Sequence, residues 1–136
     1  RFSEAEVRPM GLVAAGVAGI KLKGKDEVVG AVKVLKGKNT AVLMVANNAS
    51  ARRVAFEEFP AQKRYGQGVQ GWKLPQGAHL AGVAAGKPNT KVSIHFRKAA
   101  AKAIRLDDAP LRKRSSGRGV KIATLKPKDE VVKVVR

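Results

Sequence analysis

Lys25-Asp26-Glu27-Val28-Val29 returns unchanged as Lys128-Asp129-Glu130-Val131-Val132, 103 residues further on. Half of that offset is about 51 or 52, and the half-way point carries its own echo. Gly16-Val17-Ala18-Gly19-Ile20-Lys21-Leu22 matches Gly68-Val69-Gln70-Gly71-Trp72-Lys73-Leu74, and more loosely Gly119-Val120-Lys121-Ile122-Ala123-Thr124-Leu125. Phe56-Glu57-Glu58-Phe59-Pro60 and Leu106-Asp107-Asp108-Ala109-Pro110 form a further pair, offset by 50. Echoes in one order at one spacing define an internal repeat of about 51 residues.

Inside a unit the apolar period is two, which suits half-buried strands and not helices. Val92, Ile94 and Phe96 alternate with Ser93 and His95, so the two sets point to opposite faces. Glu27 to Leu35, Ala41 to Ala46 and Ala51 to Phe56 read as further strands, parted by Lys36-Gly37-Lys38-Asn39 and by Asn47-Asn48, both turn compositions. The stretch 97–105 reads as a turn followed by a strand. With 16–22 counted, each unit offers about four short strands. A four-stranded unit of this length, used repeatedly, predicts an all-β, propeller-like wheel with one sheet per blade. The 136 residues hold about 2.6 units: 1–15 ends a preceding blade, 16–67 and 68–118 are complete repeats, and 119–136 starts a third.

Charge narrows the function. The chain carries 28 Lys plus Arg against 10 Asp plus Glu, a net charge of +18. Residues 1–68 hold 12 basic and 6 acidic side chains, and residues 69–136 hold 16 and 4, so the excess is concentrated in the second half. Such an imbalance on a small body draws polyanions, with nucleic acid the foremost partner through counterion release. Aromatic residues make up only 4%, too few for a reader of single strands by stacking. With no cysteine, disulfides, thiolate zinc sites and cysteine nucleophiles are excluded. No apolar run is long enough to span a bilayer, and a cytoplasmic setting is expected.

Several motifs suggest chemistry that the sequence does not support. Gly82-Val83-Ala84-Ala85-Gly86-Lys87-Pro88 has three residues between its glycines and Pro88 where a phosphate-binding loop needs Ser or Thr. His79 and His95 are too few for zinc and are read as strand residues. The acidic doublets Asp26-Glu27, Glu57-Glu58, Asp107-Asp108 and Asp129-Glu130 recur beside turns, as structural groups do and a catalytic pair need not. Trp72 takes the place of Ile20 in the repeat and is expected to fill core space.

The order Arg8-Pro9-Met10-Gly11, Gly16-Val17-x-Gly19-Ile20-x-Leu22, Asp26-Glu27-Val28-Val29 resembles the blade pattern of the C-terminal DNA-wrapping domain of the A subunit of bacterial DNA gyrase and topoisomerase IV. Gln62-Lys63-Arg64-Tyr65-Gly66-Gln67-Gly68 is similar to that family's box, Gln-Arg-Arg-Gly-Gly-Lys-Gly, agreeing at Gln62, Arg64, Gly66 and Gly68. Arg114-Ser115-Ser116-Gly117-Arg118-Gly119 is a weaker version. The resemblance covers nearly the whole chain and does not choose between the two enzymes. It implies a β-pinwheel, whose blades exchange strands and whose basic rim bends duplex DNA. It also implies an assembly of two A and two B subunits, a bacterial, nucleoid-associated setting, and catalytic residues, ATP and magnesium that belong to other parts of the enzyme. No cofactor, metal or small-molecule substrate is expected here. Tyr65 is then a turn residue and not a cleaving nucleophile.

Glycine beside cationic side chains lets a phosphate approach the backbone. The candidate DNA contacts are therefore Gln62, Lys63, Arg64, Gly66 and Gly68 at one junction and Arg112, Lys113, Arg114, Arg118 and Lys121 at the next. Lys98, Lys102, Arg52 and Arg53 are secondary candidates. Two other readings fit the composition: a basic RNA-associated β-rich module, and a scaffold for acidic proteins.

Overall fold

The computed structural model describes residues 1–35, 37–115 and 118–136. Lys36 of the first turn and Ser116 and Gly117 of the weaker box lie outside the described residues. The fold is all-β, as the period-two pattern predicts; its helical pieces among the described residues are three 3₁₀ turns, Glu4–Glu6, Phe56–Glu58 and Leu106–Asp108. Among the described residues seven strands form two antiparallel sheets. β1 (Ala41–Ala46), β2 (Ser50–Ala55), β3 (Leu80–Gly86) and β6 (Val120–Lys121) make one, in the order β3-β1-β2-β6. β4 (Lys91–Phe96), β5 (Lys102–Arg105) and β7 (Val131–Val135) make the other, in the order β5-β4-β7.

Neither sheet is built from one repeat. β1 and β2 form a hairpin, but the strand on the far side of β1 is β3 from the following unit, with Val42 opposite Ala85 and Met44 opposite Val83. β7 adds to β4 in the same way, with Ile94 opposite Val134. The second and third units thus each donate a strand, β3 and β7, to the sheet of the unit before, and the third also adds β6 to the first unit's sheet. The donated strands lie against one another, and glycine makes this possible: a Cβ on Gly82 would stand 2.9 Å from the backbone nitrogen of Val134 and 2.8 Å from its Cγ2. Gly30 repeats the arrangement one unit earlier, where a Cβ would meet Val83 Cγ2 at 3.0 Å. Between the sheets Leu43, Val45, Ala84, Val92, Ile94, Ile104, Leu106 and Val131 form the core.

This exchange corrects two strand expectations. The run 27–35 occupies the repeat position of β3 and β7, yet it joins no sheet and all of it except Val34 is exposed. The segment 16–22 is likewise in no strand, and of its echoes only Val120–Lys121 forms one, pairing with Ser50 and Ala51 of β2. The hydrogen-bonding partner decides whether these segments are strands, and it belongs to a different repeat. His95 lies in β4, whereas His79 precedes β3.

Candidate nucleic-acid interface

The junctions that carry the box-like motifs begin at the 3₁₀ turns. Each turn closes on its first carbonyl, through Val7 to Glu4 at 2.9 Å, Phe59 to Phe56 at 3.2 Å and Ala109 to Leu106 at 3.2 Å. Closure sets an acid at the third position of each turn: Glu6, Glu58 and Asp108. Two of these acids hold the box arginines. The backbone N–H of Arg64 donates to Glu6 Oε2 at 2.7 Å, its Nε to the Glu6 carbonyl at 3.2 Å, and its Nη1 to the Ala18 carbonyl at 2.5 Å. At the next junction the Arg114 N–H donates to Glu58 Oε2 at 2.5 Å, Nε to the Glu58 carbonyl at 3.0 Å and Nη1 to the Gln70 carbonyl at 3.0 Å. Glu6 and Glu58, like Ala18 and Gln70, are 52 residues apart. The structure therefore repeats not only the motif but the same three bonds. Asp108 accepts the N–H of Arg105 instead, at 2.9 Å.

β2 anchors the second junction from below. Arg53 donates its backbone N–H to the Pro110 carbonyl and its Nε to the Ala109 carbonyl, both at 2.8 Å, and accepts the Arg112 N–H at 2.8 Å. The result is a parallel bridge between Arg53 and Leu111. Arg52, one residue earlier, is 1% exposed. Its Nη2 donates to the Lys113 carbonyl, and its guanidinium lies 5.9 Å from the centre of the Trp72 ring. Burial lowers its pKa, with Glu58 acting in the opposite sense and Arg112 adding to the decrease. Arg52 is thus enclosed within the junction and not on its surface. It is a strut under the junction. β2 is covered on both faces, and a period-two pattern alone could not show this. Trp72 is half-buried and closes over Gly119, where a Cβ would approach the indole to 2.6 Å.

The other candidates divide by exposure. Lys63, Arg112, Lys113, Arg118, Lys121, Lys98 and Lys102 are exposed, and Arg53 is half-buried. Lys121 Nζ donates to the Asn48 carbonyl, and Lys102 Nζ to the Ile122 carbonyl at 2.9 Å. Gln62 is exposed and its N–H reaches the Arg1 carbonyl at 2.9 Å. Gly66 passes its carbonyl to the Lys21 N–H, and Gly68 has φ of 75°, a left-handed conformation that disfavours a side chain. Tyr65 is 51% exposed at the turn, with its N–H on the Gly19 carbonyl at 3.0 Å. The structure brings Arg52, Arg53, Arg112, Lys113 and Arg114 to one junction and Gln62, Lys63, Arg64, Gly66 and Gly68 to the other. Lys98 belongs to a third place, the turn after β4.

Several acids are held by backbone amides at turns, although none is buried. Asp129 accepts the N–H groups of Lys98 at 2.9 Å, Ala99 at 3.1 Å and Glu130 at 2.9 Å. Desolvation opposes ionisation of this carboxyl, but these amides with that of Arg97 outweigh it and hold its pKa below the ordinary value. Glu6, Glu58 and Asp108 are also on backbone amides, while Asp26, Glu27 and Glu57 are exposed. Among the described residues the ion pairs are Lys33–Glu4, Arg97–Glu130 and Arg105–Asp107, none of which uses a candidate contact. The described residues contain no group of three or more His, Asp or Glu able to hold a metal, and no helix long and apolar enough to cross a membrane. Glu6 and Glu58 are the junction residues that composition alone does not reveal; their separation of 52 residues, one repeat, is the signal.

Known proteins share this architecture. A crystal structure of the C-terminal domain of DNA topoisomerase IV superposes with a TM-score of 0.85 at 21% identity, covering 98% of this chain and 41% of that one. A structure of the DNA gyrase A C-terminal domain superposes with a TM-score of 0.80 at 24% identity, covering 98% and 45%. In sequence, the chain is 42% identical over 76 residues to the DNA gyrase A protein of Salmonella typhimurium, which is 56% of this chain and 8% of that protein. It is 41% identical over 76 residues to the Helicobacter pylori counterpart, covering 56% and 9%. The chain thus spans less than about a tenth of those relatives. The family profile described as "DNA gyrase C-terminal domain, beta-propeller" matches residues 1–34, 40–86 and 102–136, most of the length, and the chain belongs to that family.

Proposed function

We propose that this chain binds duplex DNA through its phosphates and bends it, as part of the C-terminal domain of the A subunit of a type IIA topoisomerase. The observation that carries this reading is the placement of charge: Glu6, Glu58, Asp108 and Asp129 are bonded to backbone amides at turns, while Lys63, Arg112, Lys113, Arg118 and Lys98 face solvent outside any ion pair among the described residues. Two junctions of one construction, a repeat apart, offer a duplex contacts at a regular spacing. Bending 20 to 30 base pairs by 40 to 90° costs on the order of 1–6 kcal/mol, so many weak contacts must act together. Base readout has no part in it, and sequence preference is weak. In the intact enzyme this segment works with the rest of the A subunit, together with the B subunit, and the bent duplex serves the ATP-dependent change in DNA topology.

The test is affinity for unrelated duplexes against salt. With about six phosphates neutralised, log affinity falls with a slope near −5, a loss of roughly a thousandfold between 50 and 200 mM. A salt-insensitive affinity, or one that tracks a short base sequence, overturns the proposal. Preference for structured RNA in competition selects the RNA-associated reading. Failure to bind plain duplex at moderate salt selects the acidic-protein scaffold. Removing the segment from its parent subunit separates the two enzymes: loss of supercoiling with relaxation retained identifies gyrase.

A further inference from the structure

We infer that Arg64 and Arg114 are positioning residues, which fix the angle between successive blades and so the curvature of bound DNA, and are not themselves phosphate ligands. This rests on the DNA-bending reading. Each arginine joins three segments: its own junction, the 3₁₀ turn of the preceding unit through Glu6 or Glu58, and the glycine-rich segment between them through the carbonyl of Ala18 or Gln70. A phosphate contact would leave the guanidinium fork directed to solvent. Here Nε and Nη1 are both committed to carbonyls, and both arginines are half-buried while their neighbours Lys63 and Lys113 are exposed. The same bonds at both junctions give each blade the same relation to the next, as a regular arc requires. Flanking cations hold the duplex, and the arginines hold the blades.

Lysine separates the two roles, because it keeps the charge and loses the fork. Arg114→Lys and Glu58→Gln are compared with Lys113→Gln, in the whole chain. Without DNA, exchange of the residue 114 amide is expected to accelerate about 10- to 100-fold in both clip variants, as loss of charge-assisted bonds implies, and to stay unchanged in Lys113→Gln. Unchanged exchange at Val92 and Ile94 of β4 marks a folded molecule. With DNA, Arg114→Lys is expected to keep the salt slope while reducing the bend seen by energy transfer between duplex ends; Lys113→Gln lowers the slope by about one. The inference is overturned if Arg114→Lys bends DNA as the parent does while Arg114→Gln lowers the slope by one. It is equally overturned if Glu58→Gln tightens binding and leaves exchange at residue 114 unaltered. If the parent chain does not bind duplex DNA at all, the function proposal fails, and amide exchange alone still decides whether the clip exists.

Discussion

Gly82→Ala against Gly30→Ala tests how the blades are stacked. Gly82 lies where one donated strand crosses the next, and Gly30 where the run 27–35 crosses β3; neither has positive φ, so neither substitution meets backbone strain. Either gains about 0.4–1 kcal/mol by restricting the unfolded chain. They differ in what the new methyl meets. At Gly82 it stands 2.8 Å from Val134 Cγ2, 2.9 Å from its Cβ and 2.9 Å from its backbone nitrogen. Rotating Val134 relieves the first of these contacts and not the last, so β7 must retreat from β3 as a whole. Overpacking of that kind costs typically 1–3 kcal/mol, which leaves Gly82→Ala destabilised by about 1–2 kcal/mol. At Gly30 only Val83 Cγ2 is close, at 3.0 Å, and the backbone nitrogen is 3.9 Å away. A rotamer shift of about 0.5–1.5 kcal/mol offsets the entropic gain, so the net change at Gly30 is about zero. Urea unfolding of the two variants measures the difference directly. Equal effects at the two positions, or a stabilised Gly82→Ala, would refute the stacking of donated strands.

Arg52→Ala removes the strut and leaves the Lys113 carbonyl without its donor; a loss of about 2–4 kcal/mol in urea unfolding is expected, and a change below about 0.5 kcal/mol contradicts the buried placement. Asp129 is held below its ordinary pKa, so what it adds to stability is complete above the unfolded value near 3.9 and is lost as pH falls through the lower folded value. The amide proton shifts of Lys98 and Ala99 should therefore titrate with a midpoint below about 3.9 and stop titrating in Asp129→Asn; a midpoint above it reverses the sign of the argument. Lys128 sits at φ of 59° in the turn before β7, so Lys128→Gly should raise stability by about 0.5–1 kcal/mol, and a loss on thermal unfolding would contradict the left-handed turn.

The repeat is legible because equivalent positions do the same work in successive units, down to Glu6 and Glu58 and the arginine each holds. β1, β2, β4 and β5 can be read locally, since each of these hairpins closes within one unit. The state of 27–35 cannot, because the equivalent runs β3 and β7 pair with strands of another repeat. β3 is hidden for a related reason: Gly82 and Gly86 look like loop residues until their contacts with Val134 and Thr90 show them packed inside the fold. At the junctions sequence places the cations but not their directions. Arg52 and Arg53 are adjacent in one strand, yet one is buried and the other half-buried. Arg64 follows an exposed lysine, and only the position of Glu6 shows that its fork turns inward.

The central claim is that repeated junctions set their cations along an arc that a stiff duplex must follow. Energy transfer between the ends of saturated duplexes of about 30 base pairs, of several unrelated sequences, measures this most directly. The ends should approach to a similar degree in every sequence and separate again as salt releases the protein. Duplexes that are fully bound yet keep the end-to-end distance of free DNA would contradict it.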